Sequence, residues 1–300
     1  MGLNHTAIRE AVYGSLTAEF ATTSGNRPMT VPVTPFYDRM SEMVVVTAAP
    51  AFAGKAKRAA ADPCVSLLLH NGCGRLHLRG RATVRDADLE ANAAVVERLL
   101  HNEPPSPKRA AMTAAADFLD TRLGLLTLDW YGLRILIEIE PTGLERRPIA
   151  GVGATMPAWP AADMCTGEAA RYDRAVATVV SDGWPRSWAL SSPSVRNSRL
   201  RLSLPADAST SDGQPVCVLV HWHNEDLSAL EQRVVRGRCR VVDDDDNVWF
   251  DPASSSHLRN RTALDRLRFV VDGKRRTRAY FAERGEQYRP WPDLRTLAEW

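Results

Sequence analysis

The chain has 300 residues, 44% apolar and 25% charged, with a formal net charge of +2. So small a net charge excludes long-range attraction to nucleic acid or to an anionic membrane surface as its organising feature. No run approaches the 18 uninterrupted apolar residues of a membrane-crossing helix, and the length suits two domains, or one domain built from two similar halves.

Strand-like segments come first: "EFATTSG", "RPMTVPVTPFY", "EMVVVTAA", "CVSLLLH" and "RLHLRGRATVR" are short apolar or alternating runs bounded by Gly, Pro, Asn, Asp or Ser. Between the third and fourth of these, the spacing of Phe52, Ala56, Ala59 and Ala60 predicts a helix over 51–61 that ends at Asp62-Pro63. Amphipathic helices are predicted over 86–102 and 108–123, then a strand "LRILIEIEP" and a Gly/Pro/Ala-rich connector. Further on, "RFVVDGKRRTRAYFAE" reads as a closing hairpin around its Asp-Gly, with the basic "KRRTR" on it. Ser24-Gly25 and Ser181-Asp182-Gly183 read as hairpin turns, and "DDDDN" at 243–247 as a solvated turn.

The second half repeats the first. "VATVVSDGWPRSWALSSP" follows "FATTSGNRPMTVPVTP", "PVCVLVHWH" follows "PCVSLLLHN", and "VVRGRCRVVDD" follows "HLRGRATVRD", with Pro28 to Pro185 and Gly80 to Gly237 both 157 positions apart. Ordered matches at a constant offset mark an internal duplication. The expected fold is mainly β (α+β), two tandem split β-barrels forming an intramolecular pseudo-dimer. The first barrel occupies 1–150 with a helical insertion, a linker 151–166, and a degenerate second barrel 167–300.

The segment "GKAKRAAADPC" sets Lys55 beside the packed face of its helix, while Lys57 and Arg58 point toward solvent. A helix start near Gly54 with a flanking lysine offers free N–H groups and positive charge together, which suits a phosphate. Solvated charges on an alanine-rich helix would look the same. The order "ATTSGNRPMTVPVTPFYD", "EMVVVT", "GKAKRAAADPCVSLLL", "LHLRGRATV" resembles the pyridoxamine-phosphate-oxidase-like family of flavin-binding split barrels, which includes deazaflavin-dependent reductases, over roughly residues 10–145. The resemblance implies a cofactor phosphate held by Thr47, Lys55 and Lys57, and a flavin ring bordered by Val33, Thr34 and Arg75. Thr30 and Pro35 stand where a genuine pyridoxamine phosphate oxidase has Arg and Lys, so vitamin B6 oxidation is not expected. In the second half "ADASTSDGQ" has no Lys or Arg, so a single working site is expected, in the first half near the pseudo-dimer interface, with the second half as its wall.

The function so implied is a flavin-type oxidoreductase using FMN, or alternatively deazaflavin, on a small organic substrate, with no side chain singled out as acid or base. A haem-binding split barrel, ligated through His70, His77 or His221, and a non-catalytic binding scaffold are the alternatives. His221 and His223 share a strand face but lack complementary ligands, so no metal site is expected. Trp184, Trp188 and Trp222 are expected in core or interface. Cys64, Cys73, Cys165, Cys217 and Cys239, an odd number without C-x-x-C, read as reduced, mostly buried thiols, and "MGLNHTAIREAVYG" has no signal-peptide run. A cytoplasmic monomeric pseudo-dimer or weak homodimer is expected, with neither nucleic acid nor membrane as partner.

Overall fold

A computed structural model describes residues 3–71, 74–147, 156–191, 193–204, 208, 210–242 and 247–289. Helix α1 (His5–Gly14) precedes strands β1 (Ala18–Ser24), β2 (Arg27–Val33), β3 (Pro35–Asp38) and β4 (Met43–Ala48). A 3-10 turn (Pro50–Phe52) leads into α2 (Gly54–Ala61), β5 (Cys64–Asn71) and β6 (Gly74–Arg85). Helices α3 (Leu89–Asn102), α4 (Pro107–Leu119) and α5 (Arg122–Leu128) then come before β7 (Ile135–Arg147). The second half comprises α6 (Thr166–Ala169), β8 (Arg174–Ser181), β9 (Trp184–Ala189), β10 (Ser194–Arg196), β11 (Arg199–Leu202), β12 (Pro215–His223), β13 (Leu230–Val242), β14 (Asn247–Asn260) and α7 (Ala263–Glu283).

The two seven-stranded antiparallel sheets run β2-β1-β5-β6-β7-β4-β3 and β9-β8-β12-β13-β14-β11-β10, the same order once each number is raised by seven. Register repeats too. Glu19 pairs Pro32 as Val176 pairs Ala189, and Val65 pairs Gly80 as Val216 pairs Gly237. Each half carries a β-bulge just before that glycine, which sits opposite Pro141 in one half and Pro252 in the other. A Cβ on Gly80 would lie 2.6 Å from the Glu140 carbonyl oxygen, and on Gly237 1.9 Å from that of Asp251, so both bulges require glycine. The chain is mainly β, two tandem split barrels.

The barrels face each other. Leu67 and Leu69 of β5 fill the first core while β5 also packs on β9, which explains a strand buried on both faces. Met29 and Val31 of β2 pack on Cys217, Leu219 and Val234 of the other barrel. Thr30 Oγ1 donates to Thr178 Oγ1 at 2.7 Å, and the Ser187 N–H donates to His77 Nε2 at 3.3 Å. The expected linker packs as well over its described part: Met156, Trp159, Ala162 and Met164 are buried in the second core.

Local signals account for most helix ends. Asn4, Asp88, Ser106 and Thr121 each accept a backbone N–H at a helix start, and Thr121 splits the expected helix over 108–123 into α4 and α5. The predicted hairpin at "RFVVDGKRRTRAYFAE" is instead α7, which Thr262 and Asp265 open with a reciprocal capping box. Gly273 is there for packing: a Cβ would fall 1.9 Å from the ring of Trp130, which is fully buried. Lys274 of the basic run donates to the Leu126 carbonyl at 2.6 Å and pairs with Asp129 at 3.2 Å, so α7 crosses onto the first half. Gly273→Ala should therefore cost about 1–3 kcal/mol, seen as a lowered thermal midpoint, whereas Gly167→Ala, where a Cβ would meet nothing within 4 Å, should not lower it.

Hairpin turns fall at 25–26 and 182–183 as expected. Trp188 is buried, whereas Trp184 and Trp222 are half-buried. Cys217 and Cys239 are buried, Cys165 is exposed, and no disulfide occurs among the described residues. Cys73 and the acidic turn at 243–246 lie outside the described residues. No described helix is long and apolar enough to cross a membrane.

Candidate functional site: a cationic cleft between the halves

A cleft of about 1810 Å³ opens where the two halves meet. Its first-half wall includes Val33 and Thr34 at the end of β2, Thr47 of β4, Lys55 and Arg58 of α2, and Arg134 ahead of β7. His221, Trp222 and His223 of β12, parts of β13, and α7 form the facing wall. The volume exceeds the roughly 300–1,000 Å³ of a typical small-molecule pocket, which leaves room for a cofactor and a substrate together.

Three cations collect at one end of the cleft. Lys55 is half-buried and has no anionic partner among the described residues; burial, with Arg134 and Arg58 nearby, lowers its pKa to about 8. Arg134 donates to the Tyr131 carbonyl oxygen and lies 4.2 Å over the Tyr131 ring. Arg58 donates from Nε to Thr22 Oγ1 at 3.0 Å, and burial lowers its pKa as well. Arg58 was expected in solvent; the short α2 instead turns it under β1, into the cleft wall. The first turn of α2 has no side-chain cap, so its N–H groups add to the same positive end. Concentrated cations that no carboxylate pairs among the described residues suit a multiply charged anion such as a phosphate.

Four of the six sequence-derived residues, Val33, Thr34, Thr47 and Lys55, share this wall. Two do not line it. Lys57 is exposed and pairs with Glu283 of α7 at 2.5 Å. Arg75 sits on β6, electrostatically coupled to Glu19 and Arg174. Arg134 escaped sequence reading because only the β4–β7 pairing, Thr47 opposite Leu136, brings its segment beside α2.

The histidines divide by environment. His77 is fully buried away from the cleft, and burial together with Arg147, Arg79 and Arg186 lowers its pKa to about 3. His70 and His221 both hydrogen-bond Glu19, at 2.5 and 2.8 Å. Among the described residues no three His, Cys, Asp or Glu side chains form a group that could hold a metal.

No protein-family model matches the chain, and no curated protein matches it. Solved structures do. A candidate pyridoxamine 5′-phosphate oxidase from Listeria innocua is 14% identical over 47% of this chain and 96% of its own, with a TM-score of 0.31. An FAD-binding protein from Mesorhizobium loti is 15% identical over 47% of this chain and 92% of its own, with a TM-score of 0.32. HutZ, the haem storage protein from Vibrio cholerae, is 18% identical over 47% of this chain and 92% of its own, with a TM-score of 0.30. Each likeness concerns fold alone; the tandem split-barrel description rests on the two sheets of this chain.

Proposed function

We propose that the cleft binds a flavin-type cofactor, FMN or a deazaflavin, and that the protein is an oxidoreductase acting on a small organic substrate. The observation that carries this reading is the meeting of Lys55, Arg58 and Arg134 by the uncapped start of α2, on the wall that Thr47 shares, with none of the three in an ion pair among the described residues. In it Thr47, Lys55, Arg58 and Arg134 hold the phosphate, while Val33 and Thr34 border the ring. A flavin-type cofactor supplies or accepts a hydride; the protein binds and orients it and excludes water.

One site per chain follows from the asymmetry of the halves. In strand register Ser203 takes the place of Thr47, and residues 204–214 contain no Lys or Arg, so a phosphate there would lack charged partners. The second half supplies the facing wall that a partner subunit would give a dimer, so the site is complete within one chain.

Absorbance-monitored titration of the purified protein with FMN, deazaflavin and haem tests the reading. Visible flavin or deazaflavin absorbance that co-elutes with the protein supports it. A Soret band instead overturns it in favour of haem, and no chromophore at all in favour of a scaffold. The Lys55→Ala, Arg134→Ala double variant should bind FMN at least about tenfold more weakly, since it loses two charge-assisted contacts, while Lys57→Ala should bind it unchanged. Affinity should also weaken as pH rises through about 8, where Lys55 loses its charge.

A further inference from the structure

Glu19 lies between two imidazoles that are equivalent in the duplication. Ala18 pairs Leu69 as Ala175 pairs Val220, which puts His70 and His221 at the same place in the two halves. The counterpart of Glu19 is Val176, so a single carboxylate serves both histidines. It is fully buried. Burial alone would raise its pKa, but the two histidines hold it well below the usual carboxylate range. As an anion it only accepts, so each Nε2 must carry the hydrogen it shares with Glu19.

In the neutral imidazole that fixes the tautomer of His221. With Nε2–H directed at Glu19 Oε1, Nδ1 carries a lone pair; it is buried and has no hydrogen-bond partner among the described residues, on a side chain that is 1% exposed and belongs to the cleft wall. Its neighbour His223 has no such vacancy. The Asn224 carbonyl accepts from Nδ1 at 3.0 Å, and Thr17 Oγ1 lies 2.9 Å from Nε2. The charged groups around the pair are His70 from β5, Arg75 from β6, Arg174 from β8 with Asp173 just before it, and His223 on the same strand.

We propose that His221 moves the proton that accompanies hydride transfer in the cleft, with Glu19 as the residue that positions it and His70 as the buttress on the other side of Glu19. This rests on the flavin-type reading above. In the oxidative direction His221 Nδ1 would take the proton as the substrate O–H or N–H bond breaks and its electron pair forms the C=O or C=N bond, while a bound flavin-type cofactor would supply the hydride acceptor for the carbon. Reduction is the reverse, with the Nδ1–H of protonated His221 as donor. The substrate class is therefore a small alcohol, amine, carbonyl or imine.

Two measurements test this. Nitrogen-15 NMR of histidine-labelled wild-type protein should show His221 as the Nε2–H tautomer, with Nδ1 as acceptor and moving on addition of FMN; Glu19→Gln, whose amide can donate to Nε2, should shift it toward Nδ1–H. His221→Gln should lower the rate of substrate-dependent cofactor turnover about a hundredfold or more and remove one limb of its pH profile, with FMN affinity retained. An Nδ1–H tautomer in the wild type, or an unchanged rate and pH profile in His221→Gln with cofactor bound, overturns the inference. Failure of the flavin-type reading shows itself differently, as wild-type protein that binds neither FMN nor deazaflavin.

Discussion

Lys108→Ala should destabilise the protein by about 3–5 kcal/mol, the cost of leaving a buried charge without its partner. Lys108 and Glu103 form an ion pair at 2.7 Å, and each side chain is 1% exposed. The ammonium also donates to the carbonyls of Val12 at 2.7 Å and Pro35 at 3.0 Å, which pins the start of α4 to the end of α1 and to β3. Burial drives both groups toward neutrality, lowering the Lys108 pKa and raising that of Glu103, and their mutual attraction opposes it. Alanine would strand one carboxylate and two carbonyls. Lys108→Met with Glu103→Leu, which removes both charges and keeps the volume, should recover most of the loss. Urea unfolding of the three proteins measures this; a single variant within about 1 kcal/mol of wild type would show that the pair carries little. Met112, Phe118 and Leu119 of α4 line the cleft, so a loosened α4 should also weaken cofactor binding without any change at Lys55.

The duplication was legible because an offset preserved along a chain is a statement about register. The 157-residue spacing of Gly80 and Gly237 proved to be two bulges of identical pairing, each closed against a carbonyl that tolerates no Cβ. Half of the candidate site was legible for a similar reason: Thr47 and Lys55 lie on consecutive elements, and Val33 and Thr34 on the strand just before. Arg134 was not, because nothing local marks a residue whose position depends on a non-adjacent strand pairing. Arg58 points away from the packed face of α2, which by spacing alone means solvent, but β1 lies on that side and Thr22 accepts from its guanidinium. The Asp-Gly of α7 looked like a turn because the usual reason for glycine is backbone freedom; here the reason is the Trp130 ring, a contact between residues 143 positions apart. The Glu19 cluster was hidden for the most basic reason, that its two histidines come from different halves.

Stability should fall steeply with acid between about pH 6.5 and 3, and His77 should be the main cause. Its pKa is about 3 in the folded protein against an ordinary value of 6.5, because it is buried and faces Arg147, Arg79 and Arg186. Over that interval the unfolded chain binds a proton that the folded one refuses, so each unit of acidification removes about 1.4 kcal/mol, and the loss is complete once pH passes below the folded value. Glu19 acts in the same direction at the acid end: its stabilisation is present above its unfolded value near 4.5 and is lost as pH falls toward its depressed folded pKa. The duplication supplies the control. In register Val234 takes the place of His77 in the second barrel and is equally buried there. His77→Val should cost about 1 kcal/mol at pH 7.5, where it orphans the Ser187 N–H, yet gain on wild type as pH falls, so that the two stability curves cross on the acid side of neutrality. Urea midpoints taken from pH 4.5 to 8 would show the crossing. Parallel curves would mean that His77 is protonated in the folded protein, and that the interface between the barrels accommodates a fourth positive charge among its three arginines.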